Sequence, residues 1–508
     1  MKHRSFAGGG FGAARLLCAA AAVCGLAVLA ACTQQPARPE APTAAGSGFS
    51  RSGAWIVDGQ GRVAVMHGFN IVRKVAPYYP PDFGEQDAEF LAGQGFNLAR
   101  IGFIWAAAEP APGVYDDGYI RRIAQLNELL ARHGIHTLVD FHQDTWGEGI
   151  HAPQGDGAPV WATQGATPDE AFQAFWHDQP AADGVGIQQH FIAAWQHAVR
   201  ILDASPHSGN IVGLDPFNEP FPGADYPAPC GDFSPCAVFE QGALAEFYQR
   251  LIAALRQAGD THLILLEGIA QNATGVPALP AFDDPQTAFN WHYYCPLEPL
   301  DANPDRREFA EVCRKTDLAA LGKVERYTQR LGLPWLLSEF GATDDLAEQT
   351  RIVDQLGQRF VSWTNWMYYT RSSEPGNPAH QGVLIDDTRP GSEANAKADK
   401  LEILAVPYAQ AIAGTPLFSV YDRSTRVYKL AYAPWQASGP PAVPTEVPTA
   451  VPTAVFVPQR LYPQGYRLEV QGAVATRGPS GLTLAADPAA RTVSLEIAPA
   501  ATAPAPAR

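Results

Sequence analysis

A chain of 508 residues, 46% of them hydrophobic and 17% charged, can bury a large core and divide it between more than one domain. Its net charge of −16 leaves no basic surface to displace counterions from phosphates, which excludes nucleic acid as a partner. The acidity itself is a matter of solubility.

Residues 1–32 read as an export leader, with Lys2, His3 and Arg4 ahead of an apolar stretch that is too short for a stable membrane span. The stretch closes on Leu29, Ala30, Ala31 and Cys32, which resembles the bacterial lipobox, whose cysteine is lipidated and becomes the mature first residue. Thr33 stands where an aspartate would retain a lipoprotein at the inner membrane, so the expected location is the cell envelope, with the outer membrane favoured, or the exterior. Residues 33–50, rich in Ala, Pro, Gly, Ser and Thr, read as a flexible linker.

From Trp55 to about Tyr369, short apolar runs alternate with amphipathic stretches, the pattern of a β/α fold. Strands are expected at 63–66, 98–104, 136–141, 211–217, 263–267, 288–293, 335–338 and 360–366. Eight of them make a closed (β/α)8 barrel, the catalytic domain at 51–405, in which polar residues gather just after the strands, at the carboxyl face. After Gly414 the pattern changes to short alternating runs at 418–421, 426–433, 454–457, 466–470 and 492–497. These predict a C-terminal β-sandwich over 406–500, interrupted near 439–453 by a Val-Pro-Thr repeat whose prolines cannot donate to a sheet. The tail at 501–508 reads as disordered.

Once the leader is removed and Cys32 lipidated, Cys230, Cys236, Cys295 and Cys313 remain. The short separations favour Cys230 with Cys236 and Cys295 with Cys313 in an oxidising compartment. No Cys-x-x-Cys or histidine cluster accompanies them, so no metal is expected.

Two strand ends carry the chemistry. Asp215-Pro-Phe-Asn-Glu219-Pro and Leu336-Leu-Ser-Glu339-Phe-Gly each place one carboxylic acid at the end of an apolar run. Two facing carboxyl groups, one an acid/base and the other a nucleophile, are what retaining glycoside hydrolysis requires. Glu219 takes the first role and Glu339 the second. Arg100 would fix and acidify the nucleophile, while His292 and Tyr294 would hold it and bind substrate. Trp366 offers a flat face for a pyranose ring. His142 and Asp144, on one side of an extended stretch, suit sugar hydroxyls.

In this order the residues become a family pattern. His67-Gly-Phe-Asn70, Lys74, Pro77-Tyr-Tyr-Pro80, Phe141-His-Gln-Asp144, Phe217-Asn-Glu-Pro220, His292-Tyr-Tyr294, Ser338-Glu-Phe-Gly341 and Trp366 resemble the motifs of the endoglycoceramidases, a branch of glycoside hydrolase family 5. The later Pro407-Tyr408 and Phe456-Val457-Pro458 are similar to the sandwich that follows the barrel in that branch. The resemblance implies a cofactor-free retaining endo-β-glycosidase that cleaves oligosaccharide from ceramide in glycosphingolipids. It implies that Lys74, Asp144, Asn218, Tyr294 and Trp366 contact sugar, with Trp176 as a further contact. The chain departs from the branch in the cysteine-bearing insertion after Glu219 and in the Val-Pro-Thr repeat. Alternatives are a glucosylceramidase, a steryl-β-glucosidase or a β-1,4-glucanase of the same fold, or a non-catalytic glycan- or lipid-binding lipoprotein. A monomer touching membranes through its anchor and its active face is the expected form.

Overall fold

The computed structural model describes residues 48–151, 156–226, 236–269, 277–295, 307–370, 379–435 and 451–500. The expected leader, Cys32, nearly all of the linker, Cys230, most of the Pro-rich insertion and the tail lie outside the described residues. Strand pairing begins at Phe49, inside the stretch read as linker, and resumes at Thr453, the last residue assigned to the insertion.

Eight parallel strands close into a barrel. In chain order they are His67–Ile71, Leu98–Ile104, His136–His142, Ile211–Asp215, Leu263–Glu267, Thr287–His292, Trp335–Glu339 and Ser362–Asn365, and the eighth pairs with the first to complete the ring. The first strand is displaced from the expected 63–66. That apolar run is instead an outer strand, Val63–Ala64, pairing antiparallel with Tyr408–Ile412. The true first strand hides its period because its two polar residues are both buried, Asn70 beside Arg100 and His67 stacked between the rings of Trp363 and Tyr408. It also requires Gly68: a Cβ there would meet the Leu98 carbonyl oxygen at 1.6 Å.

The helices between strands follow from amphipathic spacing and local caps. In Asp117–Arg132 the Asp116 carboxylate accepts the Tyr119 N–H at 3.0 Å, Ile120, Ile123 and Leu130 face inward, and Gly134 at φ +70° takes the chain out. At the amino end of the barrel, Phe49 and Ile56 of an antiparallel hairpin cluster with Leu98, Leu138, Leu263 and Leu336. This apolar plug leaves the carboxyl end for polar work.

The C-terminal module holds a four-stranded and a seven-stranded antiparallel sheet. The larger one is shared: Phe49–Ser52, Trp55–Asp58 and Val63–Ala64, all preceding the barrel, line up beside Tyr408–Ile412, Thr453–Phe456, Gly481–Ala486 and Ala473–Gly478. Cys295 and Cys313 form a disulfide with a Cα–Cα distance of 5.7 Å, and Cys236 is also disulfide-bonded.

Candidate active site

Arg100 is the hub. It sits inside the second strand, fully buried, where the ring of strands converges. Nη1 donates to Glu339 Oε1 at 2.6 Å and to Asn70 Oδ1 at 3.0 Å. Nε and Nη2 reach Asp215 Oδ2 at 2.9 and 2.8 Å, and Nη2 also donates to Asn218 Oδ1 at 2.6 Å. Asp140 and Glu267 stand 3.0 and 3.7 Å away. Burial works against its charge, but Asp140, Asp215, Glu339 and Glu267 together hold the guanidinium pKa well above its ordinary value. Burial and the neighbouring Glu267 push Asp215 up in turn, against the pull of Arg100.

Glu339 ends the seventh strand. Its Oε1 accepts from Arg100 and its Oε2 from the Tyr294 hydroxyl at 2.9 Å, so both oxygens are held as acceptors, the arrangement of a carboxylate. Burial raises its pKa, while His292, with Nδ1 3.6 Å away, and Arg100 pull it down. The Tyr294 hydroxyl, pushed well above 10 by burial and then by Glu339, keeps its proton and acts as a donor.

Glu219 lies just past the fourth strand on a backbone with φ +45°, unfavourable for a residue with a Cβ. The turn is braced from two sides. Gln143 Nε2 donates to the Asn218 and Glu219 carbonyls at 2.8 and 3.0 Å, and Glu267 Oε2 accepts the Glu219 N–H at 2.8 Å. The Glu219 carboxyl, part-exposed, accepts from His292 Nδ1 at 2.9 Å. A carboxylate oxygen of Glu219 and one of Glu339 lie within 4.8 Å of each other. Retaining enzymes hold the two carboxyl groups about 5–5.5 Å apart, and inverting ones about 6.5–9.5 Å to admit a water.

Beside this pair a second polar group assembles. Lys74 Nζ makes an ion pair with Asp144 and stands 4.9 Å over the Trp366 ring. His142 lies parallel to that ring at 5.6 Å, with Nδ1 2.7 Å from Asp140. Burial opposes a charged His142, yet Asp140 and Asp144 push its pKa up to about 10, so it is an imidazolium at neutral pH. Burial likewise opposes ionised Asp144, but Lys74 and His142 hold it well below the ordinary carboxylate range. Trp366, Lys74 and His142 are all buried, and Asp144 is the more open member of the group. Because Lys74 touches neither glutamate, Lys74→Met is expected to raise KM at least about tenfold, the scale of one lost charged hydrogen bond, with kcat within a few-fold. Steady-state kinetics on a cleaved glycoside checks this; a collapse of kcat alone would place Lys74 in the chemical step instead.

Asn218 is engaged by the protein, taking Arg100 on Oδ1 and giving Nδ2 to the Gln143 carbonyl at 2.9 Å. The structure does not bring Trp176 to this group: its indole donates to the Phe221 carbonyl at 2.8 Å and its ring packs against Phe217, Phe239 and Phe247. Members of the network not singled out from sequence as site residues are Asn70, Asp140, Gln143, Asp215, Glu267 and Asn290, the last donating to Asp215 and Glu267. Asp215 and Glu267 end apolar strands just as Glu339 does, and that signal could have found them.

A parallel eight-stranded barrel presenting two opposed glutamates at its carboxyl face, one clamped by a buried arginine and a tyrosine, defines a retaining glycoside hydrolase. The Cellulase (glycosyl hydrolase family 5) model matches residues 57–372, and the glycoside hydrolase family 5 C-terminal domain matches 407–497, so the chain belongs to glycoside hydrolase family 5. Endoglycoceramidase I of Rhodococcus hoagii is 26% identical over 469 residues, covering 86% of this chain and 85% of that one. An endoglycoceramidase of Hydra vulgaris is 25% identical over 463 residues, covering 82% and 81%. The solved endo-glycoceramidase II from Rhodococcus sp., in its lactosyl-enzyme intermediate, superposes with a TM-score of 0.69 at 25% identity, over 88% of this chain and 100% of that one.

Proposed function

We propose that this enzyme is an endoglycosylceramidase: a retaining endo-β-glycosidase that cleaves the β-glucosidic bond between an oligosaccharide and ceramide. The observation that carries the chemistry is the Glu219–Glu339 approach within 4.8 Å, with donors on both oxygens of Glu339. Glu339 attacks the anomeric carbon as Glu219 gives its proton to the departing oxygen, leaving a glycosyl ester on Glu339. Glu219, now a carboxylate, takes a proton from water, which attacks the ester and releases the sugar with its configuration kept. The substrate class is supported by relatives whose names are endoglycoceramidase and which align along more than four-fifths of both chains.

Mass spectrometry of products from lactosylceramide, a ganglioside, glucosylceramide and cello-oligosaccharides tests the reading. Intact glycan plus ceramide is the expected result. Glucose released only from glucosylceramide would replace the endo reading with an exo-acting one, and cleavage of the glucan alone would replace the substrate class.

Glu219→Gln is expected to slow aryl β-glycosides with poor leaving groups by about 10²–10⁴-fold, the worth of a general acid. Formation of the glycosyl ester from a dinitrophenyl glycoside, whose leaving group needs no proton, stays near the wild-type rate. Equal losses in that first step on both substrates would remove Glu219 from the acid/base role.

The leader pattern and Cys32 support an exported lipoprotein held at the cell envelope, its catalytic body reaching membrane glycolipids on the segment between Cys32 and Phe49. Radiolabelled fatty acid incorporated into the full chain, and lost in Cys32→Ala, is the expected result; a labelled alanine variant would refute the assignment.

A further inference from the structure

Glu267, the last residue of the fifth strand and 4% exposed, divides its two oxygens between the backbone of Glu219 and the imidazole that faces its carboxyl. Oε2 accepts the Glu219 N–H at 2.8 Å. Oε1 accepts Asn290 Nδ2 at 2.8 Å and lies 2.8 Å from His292 Nε2, an ion-pair contact too bent for a hydrogen bond. His292 Nδ1 then meets Glu219 Oε1 at 2.9 Å. One buried carboxylate therefore touches the acid/base twice, once through its strained main chain and once through histidine.

We propose that Glu267 is a positioning residue for the acid/base, fixing the Glu219 turn through its N–H and seating the His292 ring that faces the Glu219 carboxyl, so that the free oxygen of Glu219 is the one aimed at the glycosidic bond. This rests on the reading of Glu219 as the acid/base.

The charges around His292 give the inference its direction. Glu219 faces it from the fourth strand end, Glu267 from the fifth, and Glu339 Oε2, 3.6 Å away, from the seventh. Asp215 also offers an oxygen within 4.8 Å of the ring nitrogen, while Arg100 stands 3.7 Å from Glu267. Burial opposes a charged ring, but Glu267 and then Glu339 hold it as an imidazolium. An imidazolium bonded to Glu219 Oε1 directs the acid proton to Oε2.

Removing the charge of Glu267 takes away the first of the charges that hold His292 as an imidazolium, so the ring loses its second proton at lower pH. The neutral ring is a weaker donor to Glu219 Oε1 than the imidazolium, and the alkaline limb of kcat/KM moves downwards.

The test is the pH profile of kcat/KM for full-length wild type, Glu267→Gln, Glu267→Asp and Glu219→Gln. It uses phenyl and dinitrophenyl β-glycosides of whichever glycan is cleaved, with melting temperatures measured in parallel. In Glu267→Gln the alkaline limb should fall by about one pH unit. Its rate on the phenyl glycoside should fall at least about tenfold, with the dinitrophenyl glycoside spared. Glu267→Asp, which keeps the charge, should leave the limb in place while slowing turnover. An unmoved limb with equal losses on both substrates, or an Asp variant shifted as far as the Gln variant, overturns the proposal. If Glu219→Gln fails to separate the two leaving groups, it is the acid/base assignment that falls, whatever Glu267 does.

Discussion

Glu339→Gln is expected to lower kcat on the order of 10⁵-fold, the scale of losing a covalent nucleophile. The change is nearly isosteric. The amide oxygen can still accept from Arg100, and the amide nitrogen can donate to the Tyr294 hydroxyl, which accepts as readily as it donates. The fold should survive with its substrate affinity, and what is lost is the ability to form a glycosyl ester. Intact-protein mass spectrometry with a 2-fluoro glycoside, which forms the ester quickly and releases it slowly, separates the cases. Wild type should gain the mass of one glycosyl unit and the variant none. A labelled variant would mean that another side chain is the nucleophile.

The second large effect concerns folding as well as catalysis. Arg100 is the counter-charge for Asp140, Asp215, Glu267 and Glu339 within a fully buried network. Arg100→Met leaves these carboxyls in a low-dielectric interior with His292 and His142 as the opposing charges. Breaking a buried ion pair from one side costs about 3–5 kcal/mol, and turnover should be lost with the nucleophile's clamp. The pH dependence has a definite sign. Without Arg100 the Asp215 and Glu339 carboxyls, already raised by burial, rise further above their unfolded values, so the native state binds more protons than the unfolded state. Stability then falls as pH rises from the unfolded carboxylate range, about 4, towards the raised folded values. The gap in melting temperature between wild type and variant should therefore be smallest near pH 4.5 and widen towards pH 8. A gap that stayed constant would mean that lost packing, not uncompensated charge, dominates.

The sequence made the reacting pair legible because Glu219 and Glu339 each close an apolar run, and a carboxylate at such a position is costly unless something uses it. Arg100, His292 and Tyr294 were readable for the same reason. Glu267 and Asp215 carried the same mark, but their meaning depends on partners from other strands, and no spacing in the chain records that Glu267 meets the N–H of a residue 48 positions earlier. Trp176 shows the opposite difficulty. An aromatic residue in a long loop looks alike whether it lines a cleft or packs on Phe217 and Phe247. In the fold, the barrel was legible from its alternation. The first strand is less legible because the apolar run 63–66 looks more strand-like than His67–Ile71, whose polar residues are buried, Asn70 in the network and His67 between Trp363 and Tyr408. Strands Ala473–Gly478 and Gly481–Ala486 escaped notice because alanine and glycine weaken the β signal.

The shared seven-stranded sheet has a consequence for how the molecule comes into being. Val63 finds its partner in Ile412, and the hairpin before it plugs the barrel floor. A ribosome delivering this chain from its amino end releases the first strands long before the strand that completes their edge, so the earliest apolar segments wait for nearly the last. Loop closure over some 350 residues makes that pairing slow and cooperative. The two ends of the polypeptide thus act as a clasp, and the barrel between them is secured only when the clasp shuts.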